Sequence, residues 1–450
     1  MIQINDNRVL KSLFKGNFGL EKEALRVTEE GEIATSLHPF DATNSNIVRD
    51  FCESQTEINT GIHRSAREVV EELREHHRRI VRKVASMQPV ELLWPFSNPP
   101  YLTSDSNIPI ALFQGDLAEK THYREYLSRK YGRHKMTFSG IHFNYSFSGD
   151  LLRAAYEAET SIRIEKGKET ADYRRYVDRL YIDVLQGLIK FGWIVVALMS
   201  ASPLLDCSYF RSDVRGKDLC LGMASVRCSE LGYWNLFVPV FDYTDISSYT
   251  NSIANYVKKN WIVAPSELYY PVRLKPRGEN TLEGLIKNGA SHIEIRCIDL
   301  NPFAEGGIDE RDIEFLQLLI IWLASTRHKQ LSSAAQVMAI QNFKNAARFD
   351  LGKSYISFRE EGTIPATEAI VRVLYEMEQF FKSIPEIEDV GRQERVAAIL
   401  RYQRAKMEDV ENCNYAHIVR RTFSDTFVEK GLEWAKRETD AIIKEISDNV

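Results

Sequence analysis

Apolar residues recur at helical spacing in several long stretches of the chain. Residues 65–85 begin with a serine that can cap a helix and continue with apolar residues at every third or fourth position. We expect the charged residues of this stretch, together with His76 and His77, on its solvent-exposed face. A second helical pattern runs from Ala171 to Ser202. Further helical segments are predicted at 309–325, 368–383, 392–410 and 425–446.

Short runs in which apolar and polar residues alternate occupy residues 18–150 and return at 220–300. Such alternation is typical of strands with one buried face. Because strands and helices form separate blocks, the pattern predicts an α+β fold, an antiparallel sheet flanked by helices. The chain has no internal repeat and no long linker, so we expect residues 1–450 to form a single domain. Its sheet-forming part is 1–308 and its mostly helical C-terminal part is 309–450.

The composition is that of a globular protein without a strong charge field. Apolar residues make up 44% of the 450 residues, charged residues 27%, and the net charge is -5. A mildly acidic chain does not attract nucleic acid or anionic lipid by charge alone. The longest apolar run, 191–201, is shorter than the roughly 20 residues of a membrane span, so we expect a buried core helix there.

The N-terminal residues show no signal-peptide pattern, and the six cysteines are scattered without a metal-binding spacing. Thiols at irregular spacing, without a secretion signal, indicate a reducing compartment. We therefore expect a cytoplasmic protein.

Carboxylates are concentrated in two strand-like runs near the N-terminus. In FGLEKEAL, Glu21 and Glu23 are two residues apart, which puts both on one face of a strand. In DFCESQTE, Asp50 needs a bend to join the face of the later polar residues. Like charges on one face repel unless cations lie between them, although a solvated edge strand tolerates them. The residues of DFCESQTE predicted to share a face are Glu53, Gln55 and Glu57.

Two later runs add imidazole, amide and guanidinium groups. In TFSGIHFNYS, His142 and Asn144 share one face, and in SHIEIRC the same holds for His292, Glu294 and Arg296. Taken alone, His142 could be a structural histidine, and Glu294 with Arg296 a cross-strand ion pair. Several strands that each present such groups on one face nevertheless fit a sheet with a polar side and a core side.

The residue types on this polar side favour metal-dependent phosphate chemistry. Carboxylates with one imidazole suit Mg²⁺ or Mn²⁺ better than a zinc cage, and an arginine can stabilise a phosphoryl group in transfer. The chain has neither a GxxxxGK[ST] loop nor a GxGxxG loop, and Gly16–Gly19 is predicted to be a short turn. The pattern therefore indicates phosphoryl or acyl-phosphate chemistry in which metal ions and side chains hold any nucleotide.

Seven segments between Phe18 and Ile308 stand out, in the order FGLEKEALRV, DFCESQTEINT, LWPFSNPPY, SGIHFNYS, ASVRCSELGY, SELYYPVRLKPR and HIEIRCIDLNPF. They resemble the signature segments of bacterial glutamate–cysteine ligases. The resemblance implies that the γ-carboxylate of glutamate is joined to the amine of cysteine through γ-glutamyl phosphate, with ATP and Mg²⁺ or Mn²⁺, in the first step of glutathione biosynthesis. It implies a curved antiparallel sheet like that of glutamine synthetase. It also implies small-molecule substrates and no nucleic-acid, membrane or protein partner.

The same resemblance implies a role for each matching residue. The implied metal ligands are Glu21, Glu23, Asp50, Glu57, His142 and Glu294. Arg296 would act on the transferred phosphoryl group, beside Glu294. The implied nucleotide contacts are Arg273, Lys275 and Arg296. The implied contacts to glutamate and cysteine are Phe51, Asn144, Arg227, Tyr233 and Tyr269, of which the aromatic residues form the cysteine pocket.

Other interpretations stay open. A related ligase would join glutamate to another amine, and a pseudoenzyme would bind metal without turnover. His122 to Lys135 mixes basic residues with tyrosines, as RNA-contacting segments do, although a helix with a solvated basic face fits an acidic chain better. Met136 stands where some relatives have Gln. No segment after Ile308 resembles the ATP-grasp domain of fused relatives, so the dipeptide is the expected product.

Overall fold

A computed structural model describes residues 1–211, 213–327, 329–358, 362–385 and 391–447. Within these residues the strands are β1 (Gly16–Thr28), β2 (Ile47–Arg49), β3 (Gln55–Asn59), β4 (Glu91–Leu93), β5 (Ile141–Phe147), β6 (Leu204–Asp206), β7 (Asp218–Cys220), β8 (Val272–Pro276), β9 (Ala290–Ile298), β10 (Tyr355–Ser357) and β11 (Thr363–Pro365).

Along the chain, the helices of the same residues lie between the strands and predominate after β9. They are α1 (Asn7–Leu10), α2 (Ala66–Ala85), α3 (Ala118–Tyr131), α4 (Gly149–Thr160), α5 (Ala171–Phe191), α6 (Trp193–Met199), α7 (Ile246–Lys258), α8 (Leu282–Asn288), α9 (Glu310–Ser325), α10 (Ser333–Ala346), α11 (Ala366–Lys382), α12 (Arg392–Glu408), α13 (Val410–Cys413), α14 (Tyr415–Phe423) and α15 (Phe427–Ser447).

Seven of the described strands form one antiparallel sheet in the order β2-β3-β1-β5-β9-β8, with β4 paired to the end of β1. The longest strand, β1, therefore lies in the interior of the sheet, with β3 on one side and β5 on the other. The α+β class and the antiparallel sheet are confirmed, as is the mostly helical C-terminal part.

One face of the sheet is covered by helices from both parts of the chain. Phe143 of β5 and Ile295 of β9 belong to the same apolar core as Leu188 of α5 and Leu319 of α9. Helices α2, α5 and α6 pack on strands of the sheet, and α9 packs on α2 and α5. The sheet-forming and helical parts thus share a core; that 1–450 acts as one catalytic domain stays a prediction.

Helix α2 confirms the predicted helix, and the hydroxyl of Ser65 accepts the backbone N–H of Glu68 as its cap. The exposure predicted for its histidines is wrong, because His76 and His77 are both buried. The second long helical pattern forms α5 and α6, which bend at Gly192, where a Cβ would overlap the carbonyl oxygen of Leu188.

Every residue of α6 is buried, as predicted for the longest apolar run. Among the described helices none is by itself long and apolar enough to cross a bilayer. The bent pair α5–α6 reaches that length and composition only when both helices are counted together, across a 54° bend.

Three local predictions are wrong. Gly16–Gly19 is not a turn, because β1 begins at Gly16 and pairs there with the end of β5. Between 220 and 300 the chain also forms α7 and α8, and the carboxylate of Asp245 caps α7 by accepting the N–H of Ser248. Within the helical part, β10 and β11 form a hairpin.

Candidate active site on the polar face of the sheet

The strand register brings the predicted polar residues onto one face, opposite the helix-covered core. Glu21 of β1 lies opposite His142 of β5, and Glu23 lies opposite Glu57 of β3. On the other side of β5, Asn144 lies opposite Glu294 of β9. Because side chains alternate along each strand, these registers place all of the carboxylates on one continuous surface.

Glu21, His142 and Glu294 form the centre of this surface. Nδ1 of His142 is 2.8 Å from Oε2 of Glu21 and 3.6 Å from Oε1 of Glu294. One ligand atom from each of the three residues lies within 4.8 Å of the other two. The side chain of Glu21 also accepts the amide of Asn144 at 3.0 Å. These groups could coordinate a common cation.

Glu23 and Glu57 lie beside this centre. Oε1 of Glu23 is 3.7 Å from Nε2 of His142, and its Oε2 accepts the N–H of Gly140 at 3.0 Å. Burial raises the pKa of Glu23, and Asp50 raises it further against the lowering effect of His142. Burial also raises the pKa of Glu57 well above its usual range, with Asp50, Glu21 and Glu23 adding to the effect.

The predicted bend at Asp50 is present. The chain turns at 51–54 between β2 and β3, and the N–H of Asp50 donates to the carbonyl of Gln55 at 3.1 Å. The placement predicted for Glu53 is wrong, because this residue lies in the turn and not on β3. Its carboxylate instead accepts the backbone N–H groups of His38 and Leu112, at 2.8 and 2.7 Å.

Glu294 is completely buried, and its carboxylate lies beside the positively charged side chains of Arg296 and Lys275. Burial opposes its ionisation, but Arg296, Lys275 and His142 lower its pKa overall. Burial and the charge of Glu294 likewise oppose ionisation of Glu21, and the hydrogen bond from His142 lowers the pKa of Glu21 overall. The surroundings therefore lower the pKa of Glu21 and Glu294 and raise the pKa of Glu23 and Glu57.

The donor set fits a divalent cation. Within the described residues, Oδ1 of Asn144 is buried and accepts no hydrogen bond, and the buried Oε2 of Glu294 has only an ion-pair contact with Nζ of Lys275 at 3.4 Å. Buried oxygens without a donor are unfavourable, and a hard cation such as Mg²⁺ or Mn²⁺ would satisfy them. Its positive charge would also lower the pKa of Glu23 and Glu57.

Arg296 lies next to an irregularity of β9. Between Ile295 and Ile298, β9 has one more residue than the facing segment of β5, which is a β-bulge. Nη1 of Arg296 donates to Oε1 of Glu294 at 2.8 Å. Arg227 is buried beside it and donates to the carbonyl of Arg296 at 2.9 Å, and a Cβ at Gly140 would overlap its guanidinium.

The three aromatic residues predicted for the cysteine pocket lie in one cluster. Tyr233 and Tyr269 stack with ring centroids 4.3 Å apart, and both pack in the apolar cluster that contains Phe51. A cavity of about 50 Å³ between Tyr233, Tyr269 and Arg296 opens beside them. The sequence analysis missed Tyr131 of α3, whose ring meets Tyr269 edge-on at 5.3 Å.

A larger cavity, about 750 Å³, adjoins the other end of the polar face. Gly19, Asn144 and His292 line the side nearest to the carboxylates. The sequence analysis missed the basic residues of its far side. Two of them lie on α4 and α5, outside the matched motifs, and the third is the last residue of SELYYPVRLKPR, in the turn after β8. These residues are Arg153, Arg174 and Arg277.

The two remaining predicted nucleotide contacts lie on β8 at the polar face. Nζ of Lys275 is 3.4 Å from Oε2 of Glu294. Arg273 lies opposite Glu294 in the register, and its Nη2 donates to the carbonyls of Ser266, at 3.0 Å, and Leu268. Lys275 thus points toward the carboxylates. Arg273 also holds the backbone of the segment just before Tyr269.

Comparison with known proteins places this arrangement in a family. The family model described as glutamate-cysteine ligase matches residues 1–262 and 236–346. A glutamate–cysteine ligase of Clostridium acetobutylicum is 30% identical over 384 residues, covering 74% of this chain and 77% of that protein. A bifunctional glutathione biosynthesis protein GshAB of Listeria monocytogenes is 32% identical over 450 residues, covering 97% of this chain.

This chain spans 56% of the length of that bifunctional relative. Two solved structures share the fold. The glutamate–cysteine ligase of Francisella tularensis, in complex with AMP, has a TM-score of 0.81 at 21% identity and covers 95% of this chain and 89% of its own. A bifunctional glutathione synthetase of Pasteurella multocida has a TM-score of 0.80 at 23% identity, over 98% of this chain and 55% of its own. On the family match and the identity to the Clostridium protein, this chain belongs to the glutamate–cysteine ligase family.

Proposed function

We propose that this chain joins the γ-carboxylate of glutamate to the amine of cysteine at the expense of ATP, through γ-glutamyl phosphate. The observation that carries the proposal is the polar face itself: Glu21, His142 and Glu294 around one point, with Arg296 bonded to Glu294. Family membership supports the choice of glutamate and cysteine as substrates. We further propose that residues 1–450 act as one catalytic unit.

The carboxylates and His142 would hold Mg²⁺ or Mn²⁺. Such an ion, when bound, neutralises phosphate and carboxylate charge so that the two anions can approach each other. The proposed ligands are Glu21, Glu23, Asp50, Glu57, His142 and Glu294. Their chemistry supports the proposal, because they supply five carboxylates and one imidazole and no thiolate.

Arg296 would stabilise the phosphoryl group during its transfer to the glutamate γ-carboxylate. Its guanidinium presents a planar set of donors that can span two phosphoryl oxygens, and its bond to Glu294 fixes its direction. Arg227, held by the carbonyl of Arg296, would bind a substrate carboxylate. Asn144, whose amide is fixed by Glu21, would contact substrate from β5.

ATP would bind in the larger cavity, with its phosphates directed at the carboxylates. The cavity volume of about 750 Å³ is sufficient for a nucleotide. Arg153, Arg174 and Arg277 supply positive charge along its far side. Lys275, Arg273 and Arg296 would meet the phosphates at the polar face.

Cysteine would enter on the side of Phe51, Tyr233 and Tyr269. Its uncharged amine would attack the acyl phosphate carbon, phosphate would leave, and the amine proton would pass to solvent or phosphate. Sulfur–aromatic contacts contribute only about 0.3–1.5 kcal/mol, so the size of the pocket has to provide most of the selection.

Activity with omitted substrates tests the proposal. We expect ADP release to require glutamate, cysteine and Mg²⁺ together, with γ-glutamylcysteine identified by mass spectrometry. 2-Aminobutyrate should replace cysteine at reduced kcat/KM, whereas leucine and phenylalanine should not. Preference for a large or non-amino-acid amine would instead identify a ligase for another acceptor. Metal binding without any turnover would identify a pseudoenzyme.

A further inference from the structure

Helix α3 connects the two walls of the aromatic pocket. Near its middle, Nε of Arg124 donates to the carbonyl of Asp50 at 2.5 Å, next to Phe51. At its C-terminal end, Tyr131 contacts Tyr269. Three basic residues of the segment considered for RNA contacts, Arg124, Lys130 and Arg133, thus donate hydrogen bonds within the protein. Arg133, just after the helix, donates to the carbonyl of Ile108 at 2.8 Å.

The C-terminal end of α3 is held by one buried carboxylate. The side chain of Glu267 is completely buried, and its Oε1 accepts Nζ of Lys130 at 2.5 Å and the hydroxyl of Tyr131 at 2.8 Å. Its Oε2 accepts the N–H of Val263 at 2.6 Å. Both carboxylate oxygens of Glu267 therefore have partners, and two of those partners belong to α3.

The same residue is connected to the backbone of Tyr269. The amide of Asn235 donates to the carbonyl of Glu267 at 2.8 Å and accepts the N–H of Tyr269 at 2.8 Å. The hydroxyl of Tyr269, by contrast, is buried and has no hydrogen-bond partner among the described residues. The position of this ring is therefore set by its backbone, by Tyr131 and by Tyr233.

We propose that Glu267 and Lys130 are positioning residues that determine acceptor selection, because their ion pair fixes α3 and Tyr131 against Tyr269. The inference rests on the proposed function and extends it to residues that do not touch substrate. Removing one partner of a buried ion pair leaves the other charge without compensation. Tyr269 would then lose the ring that it packs against, and the pocket that it lines would widen, while the carboxylates of the sheet would stay in place.

The test compares amines in variants of this pair. Glu267→Gln and Lys130→Met should each raise KM for cysteine by roughly tenfold, the range in which pocket fit alone discriminates substrates. The ratio of kcat/KM for leucine to kcat/KM for cysteine should rise. The values of KM for glutamate and ATP should stay within about twofold of wild type, because those substrates lie on the sheet side.

Two further variants separate positioning from a general structural effect. Arg129→Met is the matched control, since Arg129 is an exposed residue of the same helix, and it should leave every constant unchanged. The double variant Glu267→Gln/Lys130→Met should resemble the single variants, because both residues act as one unit. If Glu267→Gln does not fold, Tyr131→Phe removes only the two hydrogen bonds of the Tyr131 hydroxyl, to Glu267 and from Asn235, and should shift acceptor selection in the same direction.

The outcomes distinguish the two proposals. Unchanged acceptor ratios in folded Glu267→Gln or Lys130→Met would overturn this inference and leave the proposed function intact. An equal loss for all three substrates would also overturn it. A wild-type protein that releases no ADP with glutamate and cysteine would contradict the proposed function itself, and with it the inference.

Discussion

The imidazole of His142 lies between two carboxylates, 2.8 Å from Glu21 on the neighbouring strand β1 and 3.6 Å from Glu294 on β9. The two acidic residues come from strands on opposite sides of β5. One histidine therefore connects three strands at the point where a cation would be bound. Any change of one carboxylate should affect the whole ligand set.

Glu294→Gln and Glu23→Gln should abolish ATP turnover without unfolding the protein. Substituting a residue that only hydrogen-bonds to a metal ligand typically lowers metal affinity by about 10- to 100-fold. Loss of a ligand itself should therefore lower activity at limiting Mg²⁺ by roughly 100-fold or more. Activity measured across a Mg²⁺ titration, with circular dichroism for the fold, checks this. The control is Glu32→Gln, which changes a partly exposed carboxylate paired with Arg215. Near-wild-type activity of either variant would show that the residue is not a ligand.

Stability should depend on pH differently with and without metal. A carboxyl whose pKa is raised in the folded state, as for Glu57 and Glu23, stabilises the fold at low pH and loses this contribution as the pH rises through that pKa. If these carboxylates bind Mg²⁺ as proposed, the ion competes with protons for them. The difference in Tm between samples with Mg²⁺ and with EDTA should therefore widen from about pH 5 to about pH 8.

Differential scanning fluorimetry measures this difference. Glu57→Gln should make the difference in Tm less dependent on pH, since it removes the carboxyl with the most strongly raised pKa. A difference in Tm that is constant over the whole range in wild type would contradict metal binding at these carboxylates.

Arg296→Lys should lower kcat by about 100-fold with little change in KM for glutamate. Loss of one donor to a transition state typically has an effect of this size, and an ammonium cannot reproduce the planar fork of the guanidinium. Steady-state kinetics with saturating ATP separates the two constants. Arg215→Lys, at an exposed ion pair, is the control. A defect confined to KM for glutamate would rule out a role in phosphoryl transfer.

Gly140→Ala should weaken glutamate binding. A Cβ at this position overlaps the guanidinium of Arg227, so the arginine has to move away from the carbonyl that fixes it. We expect KM for glutamate to rise by roughly tenfold, as for other losses of a positioned contact. Gly352→Ala is the matched control, since its Cβ would meet the nearest side-chain atom at 3.4 Å. Equal effects of the two substitutions would count against the assignment of Arg227.

Asp312→Ala should reduce stability without changing acceptor selection. Asp312 of α9 is buried and accepts Nζ of Lys406 at 2.6 Å, the hydroxyl of Tyr415 at 2.7 Å and the amide of Gln403 at 2.8 Å. Leaving Lys406 buried without its partner should reduce the free energy of unfolding by about 3–5 kcal/mol. Urea denaturation measures the loss. The double variant Asp312→Leu/Lys406→Met should recover part of it, and no recovery would mean that the pair is not the cause.

The polar face could be predicted from the sequence because alternation is a local property. Glu21, His142 and Glu294 lie on the predicted faces of their strands, and antiparallel pairing preserves those faces. The prediction for Glu53 failed where the backbone leaves the strand and turns. The alternation of side chains between two faces does not continue through a turn, so the spacing did not indicate that the carboxylate of Glu53 would bind backbone amides.

Contacts between distant segments could not be predicted. The burial of His77 depends on α15, where Glu438 lies 3.0 Å from its Nε2, and on Lys22 of β1, 2.9 Å from its Nδ1. Amphipathic spacing reports which side of α2 faces the core, but not that a second helix covers the other side. The ion pair of Glu267 and Lys130 was missed for the same reason, since 137 positions separate the two residues.

All of the proposed carboxylate ligands except Asp50 lie on β1, β3 and β9, and each of these strands has a neighbouring strand on both sides. The aromatic residues Phe51, Tyr233 and Tyr269 instead lie in connecting segments. Interior strands open only when the whole sheet opens, so substitutions near them are seldom tolerated. Connecting segments accept sequence change far more readily. If the chain has the proposed activity, natural selection can therefore alter the amine that a descendant accepts while the phosphoryl chemistry is inherited unchanged.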